Sequence, residues 1–239
     1  MFKTILKKIF YNLNLDVRKL TVDSNPAHQL LKCLNYHQID MVFDVGANSG
    51  QFASQLFTVG YKGQIFSYEP LPEAHRQLEK NARNTENWTV YPRISIGESE
   101  GNVEINVAAN SVSSSVLPML DAHLDAAKES KYLGKIISQM TTLDNIIEHI
   151  QVRDRNFFIK IDTQGYEWQV LNGANHALSM AKGVLCELSL IPLYEGQHLW
   201  LEIIDRLNKM GFNLWAIQKG FSNSETGRTL QIDAIFFKE

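Results

Sequence analysis

Apolar residues along this chain switch between two periods, and the switches predict alternating strands and helices. Met41-Val42-Phe43-Asp44-Val45 is an almost continuous apolar run with β-branched valines, the pattern of a strand buried on both faces. Gly46 to Gly50 make a small-residue turn, after which Phe52, Ala53, Leu56, Phe57 and Val59 recur at helical spacing. The run 64–68 predicts a second strand, which Pro70 and Pro72 terminate. Glu73 to Arg83 reads as a helix with Leu78 and Ala82 facing inward, and Trp88 to Ile96 as a third strand in which Pro92 marks a bulge or an edge. Past a turn at Gly97 to Gly101, Val103, Ile105 and Val107 alternate strictly with polar residues and predict a half-exposed strand in an extra hairpin. Thr142 caps a helix from Leu143 to Ile150. Residues 157–162 and 184–190 are two more buried strands, joined by a turn at Gln164-Gly165 and a helix from Glu167 to Leu178. An amphipathic helix from Leu199 to Met210 is closed by Gly211.

Two segments break this rhythm. Residues 109–140 are the least regular, with serines at 111 and 113–115 followed by a predicted helix from Asp121 to Lys131. A serine-rich stretch of this length is either a solvated connector or a lid over a bound acceptor. At the N-terminus, Phe2, Ile5, Leu6, Ile9, Phe10 and Leu13 form one helical stripe, with Lys3, Lys7 and Lys8 off it. A basic amphipathic helix lies on an anionic membrane surface, or docks on its own domain or a second subunit. The expected organisation is therefore an N-terminal helical extension, 1–39, before one domain, 40–239.

The end of the chain sets the topology. Residues 213–218 and 230–237 read as strands, and the connector from Lys219 to Thr229 has no helical periodicity. Parallel neighbours need a crossover, so these two strands should pair as an antiparallel hairpin. The fold predicted is α/β and Rossmann-like, a seven-stranded, mostly parallel sheet with an antiparallel last strand and helices on both faces.

Composition narrows the partners. The chain has 239 residues, 44% hydrophobic and 21% charged, enough to bury one sizeable core. A net charge of −3 gives no electrostatic reason to expect nucleic acid. Cys33 and Cys186 are too few for a disulfide framework and read as small buried hydrophobes. No apolar run reaches the length of a bilayer span, and Lys7 and Lys8 interrupt the first apolar stretch, against a secretory signal. The expected location is cytoplasmic, with membrane contact only at the periphery through residues 1–20.

The chemistry is read from the strand ends. The spacing Gly46-x-x-x-Gly50, with Asn48 in its middle, is not the dinucleotide fingerprint and leaves room for a ligand without a pyrophosphate. An anion at Asp44 would repel a pyrophosphate but suit a cationic amino acid moiety such as that of S-adenosylmethionine. Glu69, ending the second strand, is placed to accept both hydroxyls of a ribose.

Several motifs in order then resemble the FkbM family of S-adenosylmethionine-dependent methyltransferases: 44–50, Tyr68-Glu69-Pro70, the Gly97 to Gly101 turn, the serines 113–115, the run 160–167 and Glu187. The resemblance extends from about residue 40 to the C-terminus. Thr163-Gln164 departs from it, since the family often has Val-Glu or Glu-Gly there. The resemblance implies a class I methyltransferase fold and S-adenosylmethionine as cofactor. It implies cofactor contacts from Asp44, Gly46, Ala47, Asn48, Gly50, Glu69, Pro70, Ile96 and Asp162, and O-methylation of a sugar, glycan or polyketide-type small molecule.

An alcohol's proton is not acidic at neutral pH, so a base or a metal must help remove it. Asp162, at a strand end facing the crevice, is the leading catalytic candidate; it serves equally well to hold the cofactor's ammonium or to cap the next helix. Glu187, embedded in apolar residues, is the second, with a structural ion pair as its alternative. Tyr194 and His198 follow the same strand and are candidates for the acceptor pocket. Asp162, Glu167 and Glu187 invite a divalent ion, but no tight ligand spacing supports one, so no metal is expected. The alternatives to methyl transfer are a nucleotide-sugar or nicotinamide enzyme, or a cofactor-binding protein without turnover.

Overall fold

In the computed structural model, which describes residues 10–15 and 17–239, strands and helices alternate as the apolar pattern predicts. The apolar stripe Phe2, Ile5, Leu6 and Ile9 lies outside the described residues. In chain order the elements are α1 (Pro26–Tyr36), β1 (Met41–Val45), α2 (Gln51–Thr58), β2 (Gln64–Tyr68), α3 (Pro72–Ala82), β3 (Trp88–Val90), β4 (Ser95–Ile96) and β5 (Gly101–Ala108). There follow α4 (Asp121–Ala126), β6 (Tyr132–Thr141), α5 (Leu143–His149), β7 (Phe157–Ile161), α6 (Glu167–Asn172), α7 (Asn175–Met180), β8 (Gly183–Ser189), α8 (Trp200–Lys209), β9 (Asn213–Lys219) and β10 (Gln231–Phe237).

Seven strands form the main sheet in the order β3-β2-β1-β7-β8-β10-β9. The first five are mutually parallel, and β10 runs antiparallel to both of its neighbours. The chain reverses there because the β9–β10 connector carries no helix to bring it back round. β10 inserts between β8 and β9, so the antiparallel strand is internal and β9 is the edge.

Alternation along the strands divides the core into two layers. Met41, Phe43, Ile159 and Ile161 pack with Ile146, Leu171, Ile203 and Leu207 on the α5–α8 side. Val42, Ile65, Phe158, Leu185 and Ile235 pack with Leu34, Leu56 and Leu78 on the α1–α3 side. Burying each of these side chains contributes about 1.5–3 kcal/mol. Because α1 inserts Leu30, Cys33 and Leu34 into the second layer, the packed unit begins at Pro26, ahead of the residue-40 boundary drawn from motifs. Both cysteines are buried free thiols.

Four element readings change. The predicted strand 88–96 is two pieces in different sheets: β3 joins the main sheet, while β4 joins β6 and β5 in a small three-stranded sheet. The second half of the irregular stretch is the strand β6, paired antiparallel with β5. Its Leu133 and Ile137 point to solvent at 73% and 61% exposure, so apolar residues fall on its exposed face too and no apolar–polar alternation in the sequence marks it. The helix predicted from Asp121 stops at Ala126, followed by a 3-10 turn over Lys128–Ser130. The helix predicted over 167–178 is α6 and α7, separated at Gly173 and Ala174. At that break the backbone of Gly173 rests on the Gly97 carbonyl, where a Cβ would come within 2.0 Å of the oxygen.

This contact gives the first prediction. Gly173→Ala should destabilise the domain by about 1–3 kcal/mol, because backbone must move to admit the methyl. Gly134→Ala, where nothing lies within 4 Å, should stay close to wild type. Urea unfolding of both variants reads the difference, and equal midpoints would refute it.

Candidate active site

The carboxyl edge of the sheet carries two polar rows on its α1–α3 face. The first comprises Ser67, Asp44 and Lys160, directly opposed in β2, β1 and β7. Trp88 Nε1 donates to Ser67 Oγ at 2.9 Å, and Ser67 Oγ donates to Asp44 Oδ2 at 3.1 Å. Lys160 Nζ lies 3.2 Å from Asp44 Oδ1 and 3.4 Å from Asp162 Oδ2, and donates to the Gly46 carbonyl at 2.9 Å. The Lys160 and Asp44 side chains are 6% and 0% exposed, a depth at which a charge persists only with a partner. Burial works against the ammonium, but the carboxylates of Asp44 and Asp162 outweigh it and hold Lys160 above the usual lysine range.

The turn after β1 is shaped around this cation. Gly46 has φ +76°, and a Cβ there would fall 1.8 Å from the Asp162 carbonyl oxygen, so the position requires glycine. Gly46 and Ala47 N–H groups donate to the Tyr68 carbonyl at 3.1 and 3.0 Å. Glu69, 3% exposed, closes the turn from the other side. Its Oε2 accepts from Asn48 N at 2.7 Å and its Oε1 from Leu71 N at 2.8 Å. Burial pushes Glu69 up to about 7 despite these hydrogen bonds. A carboxylate offers about four lone-pair directions. Two are engaged here, which leaves one on each oxygen for a pair of adjacent hydroxyls.

The second row lies one step further along, and Gln164 is its hub. Gln164 Nε2 donates to Asp162 Oδ1 at 2.9 Å and to Glu187 Oε2 at 2.7 Å, while Gln164 Oε1 accepts from the Tyr194 hydroxyl at 2.9 Å. Gln231 Nε2 adds a second bond to Glu187 Oε2 at 2.7 Å. Burial, with the carboxylates of Asp162, Asp233 and Glu167, pushes Glu187 well above the usual carboxylate range. Glu167 ties the loop from below, its Oε1 accepting from Thr163 N at 2.9 Å and Gly165 N at 3.1 Å.

Both rows border a cavity of about 650 Å³, within the usual range for a small-molecule site. Of the residues expected at the cofactor, Gly46, Ala47, Asn48, Glu69, Pro70, Ile96 and Asp162 line it, and so does Glu187. Asp44 and Gly50 do not. The Asp44 charge, expected to face the ligand, is turned into the sheet against Lys160 and Ser67. Gly50 starts α2 and packs away from the cavity, where a Cβ would meet the Trp88 ring at 2.6 Å. Tyr194 lies behind the wall as the support of Gln164. His198 is off the site, stacked on Trp168 at 4.0 Å and paired with Glu202. Among the described residues no group of three or more His, Cys, Asp and Glu side chains converges as a metal site would require.

The serine segment roofs the cavity. Asn48 Nδ2 donates to Ser111 Oγ at 3.3 Å, and Ser115 Oγ donates to the Gln164 carbonyl at 2.6 Å, so the roof is pinned to both loops beneath it. The stretch is not a wholly solvated connector: Ser113 and Ser115 are buried on the cavity. Sequence reasoning passed over Lys160, Gln164, Gln231 and Asp233 as working residues. Only two of them carried a signal: Lys160 is a charge inside an apolar run two residues from Asp162, and Gln164 is the departure from the FkbM pattern.

Two predictions follow from these charges. Lys160→Met leaves Asp44 buried and unpaired and should cost about 3–5 kcal/mol, while adding Asp44→Asn should recover much of that loss in urea unfolding. Glu69 and Glu167 are both raised from 4.5 to about 7, Glu167 chiefly by burial, so across that window the folded chain retains protons that the unfolded chain has released. Stability of the ligand-free protein should therefore fall as pH rises through that window. Glu69→Gln should show a shallower fall between about pH 5.5 and about pH 7.5 in thermal melts, and an unchanged slope would contradict the assignment.

Comparison with known proteins agrees with this geometry. The family model described as the methyltransferase FkbM domain matches residues 44–214. The hexuronic acid methyltransferase AglP of Haloferax volcanii is 26% identical over 152 residues, 62% of this chain and 56% of that protein, so the chain spans little over half of that relative's length. The 2-O-methyltransferase NoeI of Sinorhizobium fredii is 24% identical over 198 residues, 80% of each chain. Among solved structures, a putative O-methyltransferase from Klebsiella pneumoniae is 8% identical, with 99% of this chain and 89% of that chain covered and a TM-score of 0.48. With its motifs matched from Asp44 onward and its glycine turn, Glu69 and Asp162 on one cavity, the chain belongs to the FkbM family of methyltransferases, whose methyl donor is S-adenosylmethionine.

Proposed function

We propose that this domain transfers a methyl group from S-adenosylmethionine to a hydroxyl of a sugar or glycan. The observation that carries the reading is Glu69: a buried carboxylate on the cavity wall, fixed by two backbone N–H groups, with one free lone pair on each oxygen beside the glycine turn. That is the pair of acceptors that the two adjacent hydroxyls of a ribose require. Tyr68, Pro70 and Ile96 supply apolar wall beside it for a planar base.

When bound, S-adenosylmethionine supplies an electrophilic methyl on sulfur. The chain's own residues do the rest. The backbone from Gly46 to Asn48 allows close approach of the ligand, because no Cβ stands at Gly46. Asp162 has one oxygen against Lys160 and the other on Gln164, which fixes its carboxylate plane beside the ligand's amino acid end. The serine segment borders the same cavity, where it would shield a bound ligand from water and strengthen the electrostatics beside it. The acceptor class is supported by the names of the two relatives, one a hexuronic acid methyltransferase and the other a 2-O-methyltransferase.

Calorimetry with S-adenosylhomocysteine tests the cofactor reading. Wild type should bind, and Glu69→Ala should bind about 100-fold more weakly or worse, in line with about 1.5–3 kcal/mol for each hydrogen bond to a charged group. Transfer of labelled methyl to a panel of methyl hexosides and methyl hexuronides then tests the acceptor. No heat with wild type would refute the cofactor reading; heat without turnover of any glycoside would refute the acceptor reading.

A further inference from the structure

The second polar row ends in an acid that the fold does not use. Asp233 in β10 stands opposite Glu187 of β8 and Gln218 of β9. Directly opposed residues project to the same face, and all three line the cavity. Its companions are engaged. Glu187 accepts from Gln164 and Gln231, Asp162 is shared between Lys160 and Gln164, and the Gln218 amide donates to the Pro26 carbonyl and to Gln29 Oε1. Among the described residues none donates a hydrogen bond to the Asp233 carboxylate and no cation pairs with it.

A carboxylate directly opposite another is unfavourable, and one partly withdrawn from water without a donor is more so. Such an arrangement is retained where something outside the chain supplies the missing donor. Facing the cavity, that donor is a hydroxyl of the acceptor.

We propose that Asp233 is the general base of methyl transfer and takes the proton of the acceptor hydroxyl, an inference that rests on the sugar-hydroxyl reading above. In the step, the acceptor oxygen forms its bond to the methyl carbon and the carbon–sulfur bond breaks with its electron pair going to sulfur. The hydroxyl proton passes to Asp233, which later releases it to solvent. Asp162 and Glu187, the two acids first expected to do this work, become positioning residues, since the Gln164 amide holds both.

The charged groups around Asp233 suit the task. Glu187 faces it from β8, Lys160 from β7 and Asp162 from just past the end of β7, while β9 presents the uncharged Gln218. Burial first, and then Asp162, push Asp233 up to about 6, with Lys160 opposing. A base in that range is ionised at neutral pH yet strong enough to draw a proton.

The test uses Asp233→Asn and Asp233→Glu in the full chain. For Asp233→Asn the expected result is a fall in kcat of about 10²–10⁴-fold on whichever glycoside wild type methylates, with S-adenosylhomocysteine affinity and melting temperature close to wild type. The acidic limb of the pH–rate profile, set near 6 in wild type, should vanish, and one aspartate carboxyl resonance titrating near 6 should be missing from the carbon NMR titration. Asp233→Glu should restore part of kcat. Retained kcat, a change confined to the KM of the acceptor, or a loss of S-adenosylhomocysteine affinity would each overturn the base role. A wild type that binds S-adenosylhomocysteine but methylates no glycoside overturns the acceptor reading, and this inference with it.

Discussion

A single buried ammonium organises the carboxyl edge of this sheet. Lys160 reaches Asp44 on one side, Asp162 on the other and the Gly46 carbonyl between them. Neither Asp44 nor Lys160 would remain charged at that depth alone, because desolvation costs each several kcal/mol. Their pairing commits β1 and β7 to one register, and that register brings the glycine turn against the Asp162 backbone. A shift of β7 by one residue would turn Lys160 away from Asp44 and toward the opposite, apolar layer.

From this cation a chain of polar contacts runs across the sheet, from Trp88 through Ser67, Asp44, Lys160, Asp162, Gln164 and Glu187 to Gln231. Gln164 explains how so many acids coexist. Its amide offers two hydrogens and so bonds two carboxylates at once, whereas a carboxylate at this position could donate to neither. Where the family often has Val-Glu or Glu-Gly, this chain has Thr163-Gln164, and the Gln164 amide holds the acid row together. Tyr194 and Ser115 in turn hold Gln164, which couples the row to the roof of the cavity.

The division between held and unheld acids gives the site its chemical direction. Glu69 and Asp162 are fixed by backbone, amide and ammonium groups, as residues that orient a ligand must be. Asp233, which lines the same cavity, has no such partner among the described residues. The cavity is thus lined at Glu69 by a carboxylate held by two backbone N–H groups and at Asp233 by one with no donor among the described residues.

By itself the sequence determined the alternation of strands and helices, the antiparallel return of the last strand, the turn at Gly46 and the placing of Glu69 and Asp162 at strand ends. These follow from local periodicity, from chain reversal over a short connector and from where strands stop, all of which are short-range properties. Only the tertiary structure decided that Asp44 faces Lys160 instead of the cavity, that β6 pairs with β5 although its Leu133 and Ile137 are exposed, and that Asp233 stands opposite Glu187. Those outcomes depend on which strand lies beside which, and on side chains far apart along the chain meeting in register. No local window holds that information, because a charged residue in an apolar run looks the same whether its partner is a neighbouring strand or a bound molecule.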